Sequence, residues 1–132
     1  MTNEITAEGE LTLRTVAMPA DVNVNGDIFG GWVLSQMDIA GGICARQRAG
    51  RVATVAVDAM KFIRPVQVGD VLCVYTRIER IGRTSIAIDV ESWVLRGVVG
   101  DREKVTEATF TFVAIDEDGR PRPVPEEGGA VS

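Results

Sequence analysis

Residues 30–50 read GGWVLSQMDIAGGICARQRAG. Apolar side chains at Val33, Leu34, Met37, Ala40, Cys44 and Ala45 recur at intervals of three and four, the repeat of one face of an α-helix. Val33 to Arg48 is therefore predicted as one long helix of about five turns, opened by Gly30-Gly31-Trp32. Arg46, Arg48 and Arg51 collect at its far end, where the helix dipole favours cations. Gly50 is a plausible terminator.

Past Gly50 the repeat drops to two. Ala53 to Arg64 reads as a strand with Val55, Val57 and Ala59 on one face, stopped by Pro65. Gly69-Asp70 turns the chain into a strand over Val71 to Arg80. Gly82-Arg83 turns it into Thr84 to Arg96, with Ile86, Ile88, Val90 and Val94 facing one way. Gly97 to Asp101 leads to a last strand, Lys104 to Ile115. Before the helix, Leu11 to Met18 is a short strand ended by Pro19-Ala20. Asp21 to Asp27 (DVNVNGD) is a loop rich in turn-forming residues. The order strand, helix, four strands joined by short turns implies an antiparallel sheet covered by one helix, a two-layer α+β domain. The long apolar helix wrapped by a curved five-stranded antiparallel sheet is the hotdog arrangement. One domain is expected over 1–132, with its core at 10–116 and a loosely ordered, Pro-rich tail at 117–132.

The composition narrows the chemistry. The 132 residues are 45% hydrophobic and 25% charged, ordinary for a globular domain. No apolar run approaches the ~18 residues of a membrane helix, and Met1 to Glu10 has neither the basic nor the apolar region of a signal peptide. A cytoplasmic location is expected. A net charge of −5 without a dense basic cluster argues against nucleic acid as a partner. Cys44 and Cys73 sit in apolar segments and read as free buried thiols. There is no histidine, which excludes a Ser-His-Asp triad, a Cys-His pair and any His-ligated metal. A hydrolase built on this chain must draw its base from Asp, Glu, Lys, Tyr or Cys.

Asp38 stands out. It lies mid-helix between Met37 and Ile39, where Asp competes for backbone hydrogen bonds and burial without a partner is costly. Either it faces solvent or the site uses a partly desolvated carboxylate. Gly30 and Gly31 fall at the helix start. Unpaired N–H groups there form an electropositive cradle that a ligand can approach closely, and a carbonyl oxygen set on them would be polarised. Asp38 is two turns away, so a carboxylate from a neighbouring subunit completes such a site more easily than its own. Asn23 and Asn25 serve turn geometry or position a water.

The run Pro19 to Trp32 (PADVNVNGDIFGGW), continued by Ser35-Gln36-Met37-Asp38, closely resembles the YciA-type acyl-CoA thioesterases, a hotdog group. Arg51 to Val57, Met60-Lys61-Phe62, Arg64-Pro65-Val66, Val68 to Val71, Gly82 to Ser85 and Glu91 to Val94 extend the likeness from about Leu11 to Pro125. The resemblance implies hydrolysis of acyl-CoA to free acid and CoA, without metal or cofactor, in a homodimer commonly built up to a hexamer as a trimer of dimers. It implies Asp38 as catalytic carboxylate, general base or nucleophile, and Asn23 as its partner. It implies the Gly31 N–H as the group polarising the thioester carbonyl, with Gly30 and Trp32 beside it. Gly82, Arg83, Thr84 and Ser85 match a turn near the CoA phosphates. Arg83 and Arg64 suit phosphate as bidentate donors, Lys61 less so. Two other classes fit less well: a dehydratase, whose relatives use a His missing here, and a non-catalytic acyl-CoA-binding sensor, which would not need Asp38.

Overall fold

The computed structural model describes residues 7–97 and 100–126. The expected order is observed: β1 (Glu10–Val16), a 3-10 turn (Pro19–Asp21), α1 (Gly30–Ala49), β2 (Val52–Phe62), β3 (Val71–Ile81), β4 (Ser85–Arg96) and β5 (Asp101–Ala114). Gly50 ends α1 at φ 78°, its N–H donating to the Arg46 carbonyl at 2.8 Å, so the glycine takes the conformation that only it adopts freely. The helix starts three residues earlier than its apolar repeat, because Gly30-Gly31-Trp32 already coil. Residues 1–6 of the polar N-terminal stretch, 98–99 of the turn before β5 and 127–132 of the tail lie outside the described residues.

All five strands form one antiparallel sheet in the order β1-β3-β4-β5-β2. Only β3, β4 and β5 follow each other as hairpins. The expected hairpin between β2 and β3 is not formed. Instead β2 pairs with β5, and residues 63–70 carry the chain back to the other side of the sheet. Pro65 has no N–H for a ladder, and the next carbonyl, Val66 O, accepts from Ile28 N–H at 2.9 Å. The crossing is thus bound to the loop before α1.

The helix lays Val33, Met37, Ala40, Gly41, Ala45 and Ala49 on the sheet, against Leu72, Val74, Ile86, Ile88, Val90, Phe110 and Phe112. Small residues allow the close approach: a Cβ on Gly41 would sit 3.1 Å from the Phe112 ring. The β2 face that carries Val55 and Val57 is open. Val55 is 57% and Val57 39% exposed. Register shifts at Thr54/Ala56 and Asp58/Lys61, with Ala59 at φ 52°, break the strand's alternation. Among the described residues one edge of β2 has no partner strand, and it is flanked by exposed Phe62, Ile63, Ile39 and Ile43.

The tail also departs from expectation. Residues 116–126 are not loose but run back along the end of α1. Cys44 and Cys73 are both free thiols, Cys73 fully buried and Cys44 half-buried. Burial pushes the Cys44 thiol up, against the lowering effect of the Thr76 hydroxyl. Among the described residues no helix is long and apolar enough to cross a membrane.

Candidate active site

The loop before α1 is held by Asn23. Its Oδ1 accepts the N–H groups of Asn25 (2.8 Å) and Asp27 (3.2 Å), and its own N–H donates to Asp27 O at 2.7 Å. Two donors on one atom identify that atom as oxygen, and the amide NH₂ has no partner among the described residues. Asn25 contributes only its backbone to this turn and is exposed.

Phe29 caps α1 without a side-chain bond. The Trp32 N–H donates to Phe29 O at 3.1 Å, so this amide is spent and does not join the expected donor set. Among the described residues no acceptor meets the N–H groups of Gly30 and Gly31. They open beside a groove of about 340 Å³ lined by Ile28, Gly30, Val33, Phe62, Arg64 and Thr106. A Cβ on Gly30 would lie 3.0 Å from the Phe62 ring, and one on Gly31 3.3 Å from that of Phe29. Both glycines keep the helix start open to a ligand.

Asp38 is half-buried on the flank of α1 that faces β2. Its Oδ1 accepts the Thr54 hydroxyl at 2.6 Å. A cleft of about 290 Å³ surrounds it, lined by Ile39, Gly42, Arg46, Val52, Thr54 and Phe112. Gly31 and Asp38 are seven residues apart, so they share a helix face but lie ~10 Å apart along the axis. Within one chain the groove at Gly30 and the cleft around Asp38 share no lining residue. Thr54 was not singled out from sequence. A threonine in a strand is commonplace, and nothing local signals a carboxylate 16 positions upstream.

The turn between β3 and β4 is tight. Gly82 N–H donates to Ser85 O at 2.8 Å, and a Cβ on Gly82 would meet Ser85 Oγ at 2.9 Å. Thr84 O accepts from Ala114 N–H and Arg83 O from Val124 N–H, each at 2.8 Å. Arg83 is exposed, with no ion pair among the described residues. This turn lies by the C-terminal end of α1, on the Asp38 side and away from Gly31. Arg64 lines the Gly30 groove but is paired with Glu103 at 3.6 Å, and Lys61 is paired with Glu107 at 3.8 Å. Both are less available to a phosphate than Arg83.

Behind the groove, buried Asp70 accepts from Gln67 N–H at 2.8 Å and from Arg96 Nε and Nη2 at 3.0 and 2.7 Å. That hydrogen-bonded pairing raises the Arg96 pKa further above its ordinary value. Arg96 also donates to Pro65 O at 3.2 Å, so the pair holds the crossing that supports Ile28 and the helix start.

The family model of the Thioesterase superfamily matches residues 25–100. The acyl-CoA thioester hydrolase YciA of Salmonella typhimurium is 56% identical over 131 residues, covering 96% of this chain and 98% of that protein. The hexameric thioesterase of Yersinia pestis superimposes with a TM-score of 0.88 at 56% identity, covering 92% of this chain and 99% of the other. The hexameric hotdog fold thioesterase of Campylobacter jejuni gives a TM-score of 0.85 at 42% identity, covering 89% and 92%.

Proposed function

The chain belongs to the Thioesterase superfamily, in its YciA group of hotdog acyl-CoA thioester hydrolases, and from that premise we propose that it hydrolyses acyl-CoA to a free carboxylic acid and CoA at a site shared by two subunits. One observation supports the shared site above all. The free N–H groups of Gly30 and Gly31 and the carboxylate of Asp38 lie at opposite ends of β2, a strand with one unpaired edge and exposed apolar side chains. Laying that edge antiparallel beside its own copy, about its midpoint, sets the Thr54 end of one strand against the Phe62 end of the other. Asp38 of each subunit then faces the Gly31 groove of its neighbour. A homodimer is the working unit, and a trimer of dimers its assembly.

The thioester carbonyl accepts a hydrogen bond from the Gly31 N–H, with Gly30 as second donor and the helix dipole behind both. Thr54 holds Oδ1 of Asp38 and leaves Oδ2 to act. Oδ2 takes a proton from water as general base, or attacks the carbonyl carbon to give a transient anhydride that water then opens. The Asn23 NH₂ orients the water or the thioester. By the first route the proton gained passes to the CoA thiolate as the C–S bond breaks; by the second the C–S bond breaks as the anhydride forms, and the thiolate takes the proton released when water opens the anhydride. The Gly82 to Ser85 turn, with Arg83, meets the CoA phosphates, and Arg64 stays with Glu103. The chain's own groups suffice for these steps without a cofactor, and the reaction is assigned to the cytoplasm, away from membranes and nucleic acid.

Thiol release from a panel of acyl-CoAs, by wild type beside Asp38→Asn, tests this. Loss of about 100-fold to 10,000-fold in the folded variant is expected. Tight acyl-CoA binding with no release from any substrate would leave the sensor instead.

A further inference from the structure

The tail has a defined path. Asp116 Oδ1 accepts the N–H groups of Asp118 and Arg120, each at 2.9 Å, and Gly119 at φ 80° turns the chain back. Pro121-Arg122-Pro123-Val124-Pro125 follows. Alternating prolines remove every second N–H and confine each preceding residue to extended backbone. Two donors remain in this run and both are used: Arg122 N–H on Ala114 O at 2.9 Å, and Val124 N–H on Arg83 O at 2.8 Å. Side chains tie the same stretch to the end of α1. Arg122 donates to the carbonyls of Ile115 (2.9 Å), Ala49 and Arg51, while Arg48 Nη1 donates to Pro125 O at 2.6 Å. Val124 packs against the core.

We propose that Arg122 to Pro125 is a positioning strap that sets the Arg83 turn at a fixed distance from the helix bearing Asp38, so that the nucleotide end of CoA meets a preformed turn. This rests on the reading of Gly82 to Ser85 as the CoA phosphate contact. A CoA ester must reach from the carboxylate to the phosphate turn in one extended conformation. One stiff segment is bonded both to the last turn of α1 and to the Arg83 carbonyl. An unstrapped turn would order only on binding, at a cost in affinity. The strap acts through Arg83 and touches no reacting atom, so its effect falls on KM for substrates that carry the nucleotide.

The test compares Val124→Pro, which deletes the N–H held by Arg83 O, with Val124→Ala, which keeps it, and with Arg83→Ala. Each full-length protein is assayed for kcat and KM on one acyl-CoA and on the same acyl group carried by pantetheine, which lacks the nucleotide. Val124→Pro is expected to raise KM for the CoA ester about threefold to tenfold, the worth of one hydrogen bond, with kcat and the pantetheine ester unchanged. Val124→Ala should behave as wild type. If Arg83→Ala weakens the CoA ester selectively while Val124→Pro does not, or if Val124→Pro impairs both substrates equally, the strap is overturned and the turn assignment stands. If Arg83→Ala fails to separate the two substrates, the turn does not read the nucleotide, and the strap falls with it. Should Val124→Pro not fold, Arg122→Lys, which keeps the charge and loses the fork, faces the same criteria.

Discussion

The Thr54 hydroxyl donates a 2.6 Å hydrogen bond to Oδ1 of Asp38, joining the exposed strand β2 to the middle of α1. It sets the carboxylate plane and leaves one oxygen free. A hydrogen bond to a charged group is worth about 1.5–3 kcal/mol. Thr54→Val should therefore lower kcat about tenfold to a hundredfold with the fold intact, and Thr54→Ser should recover most of it. Equal loss in both variants would remove the hydroxyl from the mechanism.

A site shared between subunits predicts complementation. Asp38→Asn and Gly31→Pro should each be inactive, the second because it deletes an amide N–H that sits at the helix start, where proline is tolerated. Random mixing by co-expression makes half of the dimers mixed, each with one intact site, so about a quarter of wild-type activity should return. No recovery in mixed dimers isolated by two tags would place both groups in one chain's site.

Asp70 is 3% exposed and is ion-paired with Arg96 at 2.7 Å. Removing one member of a buried pair costs about 3–5 kcal/mol, reduced here because Arg96 is 31% exposed. Arg96→Ala should lower stability by roughly 2–4 kcal/mol in urea unfolding, and adding Asp70→Asn should restore part of that. Strictly additive losses would mean that the two side chains do not act as a pair.

Glu107 is hydrogen-bonded and ion-paired to Lys104, which holds its carboxyl below the ordinary value of 4.5, with Lys61 adding to the effect. A carboxyl lowered in the folded state stabilises fully above the unfolded value and loses that contribution as pH falls through the folded one. The two side chains are 27% and 34% exposed, so water screens the pair and its contribution is at most about 1 kcal/mol. Lys104→Gln should raise the Glu107 titration followed by NMR toward its ordinary value and flatten the stability loss below about pH 4.5. An unmoved titration would show that Lys104 does not hold the Glu107 carboxyl down.

The sequence was most legible where structure is local. The three- and four-residue repeat and Gly50 located α1, and the two-residue repeats located every strand, to within a few residues. Asp38 stood out because a carboxylate conflicts with an apolar helix. Trp32 was less legible: its N–H turns back onto Phe29 O, a first-turn bond that composition does not reveal. Arg64 likewise looked free in sequence, yet lies beside Glu103.

The order of elements, the α+β class and the absence of any His-based chemistry follow from the chain alone, because they depend on neighbours three or four residues apart and on which side chains exist at all. The crossing from β2 to β3, the bare edge of β2, the Thr54–Asp38 bond and the binding of the tail to Arg83 and Ala49 follow only from the tertiary structure. Each of these joins segments far apart in the chain. A strand's own side-chain pattern does not name its partner, and a polar, proline-rich segment reads as loose until the carbonyls that match its few remaining donors are brought beside it.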